Sequence, residues 1–233
     1  ISGVHNLLEL AKYSNIERFI QTSTSEVYGT AQFIPMSEKH PVNPQSPYAA
    51  TKAAADHLCM SYHYSFNLPI TILRPFNTYG PRQSTRAVIP TIINQISKKV
   101  KTVKLGSINT TRDFNFVEDT VSAYLKSLKK KRSLDGQIIN IGSNFEVSIK
   151  DIYQIVCKFY NRYPKIKIEK KRIRPLKSEV KRLYSSNKKA IRLLKWKPKF
   201  SGKKNFYKGI YKTCEWFEKN KKNPSYKSTD YTI

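Results

Sequence analysis

Ser46-Pro47-Tyr48-Ala49-Ala50-Thr51-Lys52 sets a tyrosine and a lysine four residues apart behind a helix start signal. Ser caps the first N–H groups of a helix, and Pro at the first helical position gives up an N–H that would lack a partner there. Tyr48 and Lys52 then share one helix face, about 6 Å apart. An ammonium beside a phenol favours the phenolate, so a tyrosine of ordinary pKa about 10 can become a base near neutral pH. The lysine can also hold a diol or ribose by hydrogen bonds. Alone, Tyr-x-x-x-Lys is a common spacing that decides little. Its neighbours give it meaning. Upstream, Arg18-Phe19-Ile20-Gln21-Thr22-Ser23-Thr24-Ser25-Glu26-Val27-Tyr28-Gly29 reads as an apolar strand ending in hydroxyls and a carboxylate. That order places hydroxyl, carboxylate and phenol at one edge of a sheet.

Outward from these motifs, helix and strand patterns alternate. Residues 3–14 carry an apolar stripe at helical period, 17–23 read as a strand, 24–46 as a Pro-rich loop and 47–66 as a helix. Pro69-Ile70-Thr71-Ile72-Leu73 is short and β-branched, as buried parallel strands are. A loop over 77–86, a helix over 88–99, strands near 103–105 and 113–117, and a helix over 118–130 follow. A strand over 138–141 precedes a helix capped by Ser148 that runs to about residue 160. Residues 165–185 are basic and mixed, 187–195 and 203–219 are helical, and 220–233 form a polar, frayed tail. The alternation predicts an α/β fold with a parallel sheet.

The motif order resembles the extended short-chain dehydrogenase/reductase family, and within it the nucleotide-sugar 4,6-dehydratases. The resemblance spans nearly the whole chain. It rests on Arg18 to Gly29, Asn43-Pro44-Gln45-Ser46-Pro47-Tyr48 to Lys52, Leu73-Arg74-Pro75-Phe76-Asn77-Thr78-Tyr79-Gly80-Pro81-Arg82-Gln83, and Thr111-Arg112-Asp113-Phe114-Asn115-Phe116-Val117-Glu118-Asp119. Arg174-Pro175, Ser178-Glu179-Val180 and Leu194-Lys195-Trp196-Lys197-Pro198 continue it. It is nearest to dehydratases acting on N-acetylglucosamine nucleotides and on GDP-mannose. Such proteins open with a strand and a Gly-rich turn that carries the cofactor pyrophosphate at a helix N-terminus. No such turn occurs in this chain, which reads as a fragment of a longer one and is expected to be inactive alone. The resemblance implies the later part of a Rossmann-type domain over 1–86, a sugar-nucleotide domain mainly over 87–219, and a tail over 220–233.

It also implies site residues. Tyr48 takes the 4-hydroxyl proton of a hexose while NAD takes the C4 hydride, Thr24 hydrogen-bonds the same oxygen, and Lys52 holds the cofactor ribose and lowers the Tyr48 pKa. Ser23 and Pro75 complete the cofactor side; the residue that separates NAD from NADP lies outside this chain. Glu26 removes the C5 proton. Ser25 stands where glucose dehydratases carry Asp and GDP-mannose dehydratases carry Ser. Glu26 is therefore expected to serve both proton transfers, with Ser25 assisting. Asn77 covers the sugar, Arg112 grips the diphosphate, Glu179 and Arg182 hold the nucleoside side, and Arg82 and Arg86 extend toward phosphate. Asp119 is a structural acid at a helix start. The substrate is a UDP- or GDP-hexose. The alternatives are a UDP-glucuronate decarboxylase, a 4-epimerase, or a non-catalytic remnant. Helices 3–14 and 47–66 are expected to build a homodimer contact.

Composition bounds the rest. The chain has 233 residues, 39% of them hydrophobic, enough for a sizeable core. No apolar run spans a membrane, and no metal-ligand spacing is present among the four His and three Cys. Cys59, Cys157 and Cys214 are expected to be reduced, buried thiols of a cytoplasmic protein. The net charge of +27 is lopsided. Residues 1–120 hold 12 basic against 8 acidic groups, and residues 121–233 hold 31 against 8. Lysines scattered in this way predict a solvated face rather than a nucleic-acid reading head, although a positive field can still attract a diphosphate.

Overall fold

The computed structural model describes residues 1–129, 132–173, 175, 180 and 182–223. It builds one face of the molecule on a parallel sheet in the order β1 (Phe19–Thr22), β2 (Ile70–Pro75), β6 (Gln137–Ile141). β2 lies in the middle, with its first five residues buried. Successive side chains of a strand point to opposite faces. Ile70 and Ile72 therefore join Leu8 of α1 (Ser2–Lys12) and Cys59 and Tyr62 of α2 (Pro47–Phe66). Leu73 instead joins Ile139, Ile141, Ala123 of α4 (Val117–Ser127), Leu194 of α6 (Lys188–Leu194) and Trp196. Helices thus cover both faces, as a parallel sheet requires. α2 begins as its sequence dictates: Ser46 Oγ accepts from Ala49 N at 3.1 Å, and Asn67 closes the helix in the left-handed region at φ 55°.

The second unit is a three-stranded sheet in the order β3 (Asn77–Tyr79), β5 (Thr111–Phe116), β7 (Glu146–Ser148), with β5 and β7 antiparallel. β4 (Thr102–Leu105) and β8 (Lys165–Ile168) form a separate parallel pair. A core of Ile89, Ile92, Ile93, Phe114, Phe116, Ile152, Val156, Phe206 and Ile210 joins these strands to α3 (Val88–Ser97), α5 (Ile149–Tyr160) and α7 (Gly202–Asn220). α5 starts on a capping box between Ser148 and Asp151.

Three strands escaped the sequence pattern. β3 sits in the stretch read as loop, β7 is three residues long, and β8 is Lys-Ile-Lys-Ile inside the stretch read as basic and mixed. The polar tail from residue 224 onward lies outside the described residues. Cys59, Cys157 and Cys214 are buried and unpaired. No helix among the described residues is long and apolar enough to cross a membrane, and no group among them could hold a metal ion.

Two buried acids lock the units together. Asp113 accepts from the Ser143, Asn144 and Ser185 N–H groups and from the Ser143 and Ser185 hydroxyls. Asp119 does more than favour a helix dipole: its two oxygens accept from Lys199 N and Phe200 N, each at 2.8 Å. Its carbonyl accepts from the fully buried Trp196 indole at 3.0 Å. Trp196→Ala should therefore leave a large cavity and remove the indole donor from the Asp119 carbonyl. The expected cost is about 3–5 kcal/mol, read as a fall in the urea unfolding midpoint.

Candidate active site

The end of β1 carries the candidate residues of the Thr-Ser-Glu motif. Ser23 follows the strand, Thr24 caps a short 3-10 turn over Ser25–Tyr28, and Thr24 Oγ1 accepts from Glu26 N at 3.2 Å. Gly29 ends the turn at φ 66°, where a Cβ would stand 2.2 Å from the Asn43 carbonyl oxygen, so the motif needs glycine there. The Tyr48 phenol lies beside the Thr24 side chain, which favours its ionised form. Thr24 therefore touches both the phenol and the main chain that presents the carboxylate.

Tyr48, Lys52 and Asp56 form one stripe along α2, and two of them stitch the helix to β1. Lys52 Nζ donates to the Thr22 carbonyl at 2.9 Å, and Asp56 Oδ2 accepts from Ser23 Oγ at 2.7 Å. The Ser23 hydroxyl is thus turned inward rather than toward a cofactor. Arg74 of β2 donates from Nε to the same Asp56 oxygen at 3.0 Å, with both side chains almost wholly buried. Its guanidinium lies 4.8 Å over the Tyr28 ring, and Tyr28 OH donates to Asn140 Oδ1 of β6 at 2.7 Å. Burial raises the Asp56 pKa, and Arg74 and Ser23 oppose that shift.

The Tyr48 pKa is raised in this structure, first by burial and then by the Glu26 charge, with Thr24 hydrogen bonding opposing both. The resemblance leads to the opposite direction, through Lys52. Here Lys52 faces the Thr22 carbonyl and is not among the groups that shift the phenol. The spacing of four put both residues on one face; only the folded chain showed which neighbour the ammonium chose.

Beside these groups opens a cleft of about 360 Å³. Its wall brings together Glu26, Asn77, Gln83, Arg86, Arg112 and Arg172. A carboxylate and two amides are thereby joined to three guanidinium groups, the donor geometry that suits a diphosphate. Asn77 Oδ1 and Gln83 Oε1 are buried acceptors without a donor, while Gln83 Nε2 is held by the Thr78 carbonyl at 3.0 Å. Arg82, exposed at φ 66°, is not in this wall. Arg182 is also outside it and forks onto Glu146 of β7, which lowers the Glu146 pKa. Glu179 lies outside the described residues. Arg172 and Asp56 were not singled out by sequence. Asp56 did leave a trace, as a lone acid on an Ala-rich helix one turn after Lys52. Arg172 was hidden in a basic run.

A parallel sheet that gathers Thr-Ser-Glu and Tyr-x-x-x-Lys at its strand ends defines the extended short-chain dehydrogenase/reductase class. Within that class the chain belongs to the family described as GDP-mannose 4,6 dehydratase, whose sequence model matches residues 1–208. The dTDP-D-glucose 4,6-dehydratase of Homo sapiens is 35% identical over 226 residues, covering 94% of this chain and 62% of that protein. The chain thus spans about three fifths of the length of such relatives. The dTDP-glucose 4,6-dehydratase of Bacillus anthracis, solved in complex with NAD, superposes with a TM-score of 0.85 at 29% identity, over 95% of this chain and 68% of its own. The UDP-glucuronic acid 4-epimerase of Bacillus cereus, solved with UDP-glucuronic acid and NAD, gives 0.84 at 30% identity, over 93% and 66%.

Two outcomes follow from this geometry. Asp56→Ala should strip Arg74 of its counter-charge and cost about 3–5 kcal/mol, whereas Asp56→Leu with Arg74→Met should recover most of that loss in urea unfolding. The Tyr48 phenol, isolated as the difference between the ultraviolet titrations of the chain and of Tyr48→Phe, should ionise above its ordinary value. Thr24→Ala should move it further up and Glu26→Gln should move it down.

Proposed function

We propose that this chain is the catalytic and sugar-nucleotide-binding part of a nucleotide-sugar 4,6-dehydratase. The observation that carries the reading is Glu26 in the wall of a cleft with Asn77, Arg86, Arg112 and Arg172, presented by the same turn that touches Tyr48. A hexose beside Tyr48 with its diphosphate among the guanidinium groups would set its ring against Glu26. A 4-epimerase has no use for a carboxylate at C5, and this separates the two readings.

The donor set suits a nicotinamide dinucleotide. The Lys52 ammonium has three N–H donors, and its bond to Thr22 engages one of them. Lys52 and Tyr48 would hold the ribose, with Pro75 lining the cofactor side; NAD is favoured because related structures were solved with it. When bound, NAD supplies reversible hydride acceptance, first from C4 and then back to C6. Tyr48, as phenolate, takes the proton of the 4-hydroxyl, and Thr24 steadies that oxygen. A positive charge arriving with the cofactor would favour that phenolate. The C4 ketone acidifies the C5 hydrogen, and the Glu26 carboxylate removes it. Glu26, now protonated, returns that proton to the 6-hydroxyl as it leaves as water, with Ser25 hydrogen-bonding beside it. Asn77 and Gln83 offer acceptors to sugar hydroxyls or to an amide N–H. Exposed Leu7 and Leu10 on α1, Tyr13 at its C-terminal cap, and Tyr64 and Phe66 on α2 suit the helix face of a homodimer. The protein would work in the cytoplasm, where sugar nucleotides are made.

The test incubates the whole protein with NAD and UDP-, GDP- and dTDP-hexoses in deuterated water, with NMR and mass spectrometry as readouts. A 4-keto-6-deoxy product deuterated at C5 is expected, and Glu26→Gln should lower its formation by about 10²–10⁴-fold. Inversion at C4 without deuterium would replace the reading with an epimerase. A pentose and CO₂ from UDP-glucuronate would replace it with a decarboxylase. No turnover of any sugar would leave a non-catalytic protein.

A further inference from the structure

Lysines that are scattered in the sequence are concentrated by one strand pairing. β4 and β8 are some sixty residues apart, yet they pair in parallel with Thr102 opposite Lys165 and Lys104 opposite Lys167. Val103 and Leu105 of β4 are buried, so Lys104 points outward, and its neighbour Lys167 shares that exposed face. Like charges set directly across a sheet are destabilising, and the fold gives no packing reason for them. Around this pair, residues 98–107 and 162–173 hold ten Lys and Arg and a single acid, Glu169. That acid is already shared between Lys104, at 3.5 Å, and Arg172, at 2.7 Å.

The patch ends at the cleft. Leu105, which ends β4, and Gly106 after it line the cleft wall, as does Arg172 from the turn after β8. The two segments meet so closely that a Cβ on Gly106 would lie 2.3 Å from the Arg172 carbonyl oxygen. A row of exposed lysines therefore leads along both strands to the guanidinium groups of the site. Exposed charges act over about 10 Å at 0.1 M salt, the length of such a row.

We propose that the β4–β8 surface is an electrostatic approach path that draws the diphosphate of a sugar nucleotide into the cleft. This rests on the sugar-nucleotide reading of the site and adds a surface to it that touches no reacting atom. Lys101, Lys165, Lys167 and Lys170 are exposed and do not line the cleft, so they speed arrival without holding the bound ligand.

The experiment measures association rates of UDP, GDP and dTDP with the whole protein by stopped-flow fluorescence, across ionic strength. Three proteins are compared: the unaltered chain, the variant K101Q/K165Q/K167Q/K170Q, and the charge-matched control K203Q/K204Q/K208Q/K219Q on α7. At low ionic strength the patch variant should bind roughly tenfold more slowly than the unaltered chain, and the gap should close at high salt. The α7 control should stay within about twofold, and dissociation rates should change little in either variant. Equal rates in the patch variant and the unaltered chain would overturn the proposal. An equal slowing in the α7 control would also overturn it, because total charge would then suffice. Failure of all three nucleotides to bind would remove both this path and the sugar-nucleotide reading. Patch-dependent binding without turnover of any hexose would keep the path and remove only the dehydratase chemistry.

Discussion

A carboxylate and a guanidinium, sealed together where α2 crosses the ends of β1 and β2, hold the working edge of this protein in place. Burying either charge alone would cost several kcal/mol, and the pair survives because each has further partners. Asp56 receives Ser23 as well as Arg74, and Arg74 lies over Tyr28, which reaches Asn140. The chain of contacts runs from α2 through β1 and β2 to β6. It fixes how far Tyr48 stands from the turn that carries Thr24 and Glu26. Lys52 adds a second stitch one helical turn away, at the Thr22 carbonyl.

The candidate residues come from separate sheets. The parallel sheet presents a phenol, a hydroxyl and a carboxylate at the ends of β1 and α2. The second unit contributes Arg86, Arg112 and Arg172 from elements outside that sheet. Asp113 and Asp119 make the junction rigid, each through bonds to main-chain N–H groups of distant segments. The cleft is therefore a consequence of the junction, and Glu26 belongs to it because the turn after β1 faces that way.

The raised Tyr48 pKa shows how the parts depend on one another. Phenol, carboxylate and hydroxyl are close enough to interact, and without an added positive charge they favour the neutral phenol. A cation placed beside them would oppose that preference.

Local chemistry makes much of this protein legible in its sequence. The Ser46-Pro47 cap, the β-branched run of β2 and the Ser148 cap are decided by neighbours in the chain, and each falls where the residue pattern puts it. The motifs around Glu26, Tyr48 and Lys52 mark the site for the same reason: residues three or four apart on a helix must share a face. The sequence could not say that Lys52 would turn to Thr22, that Asp56 would find Arg74, or that Arg182 would fork onto Glu146 and leave Arg172 in the cleft wall. Nor could it show that Lys104 would stand beside Lys167. Those outcomes depend on which strands pair and which side chains lose their water, and pairing between distant segments is set by the whole core at once.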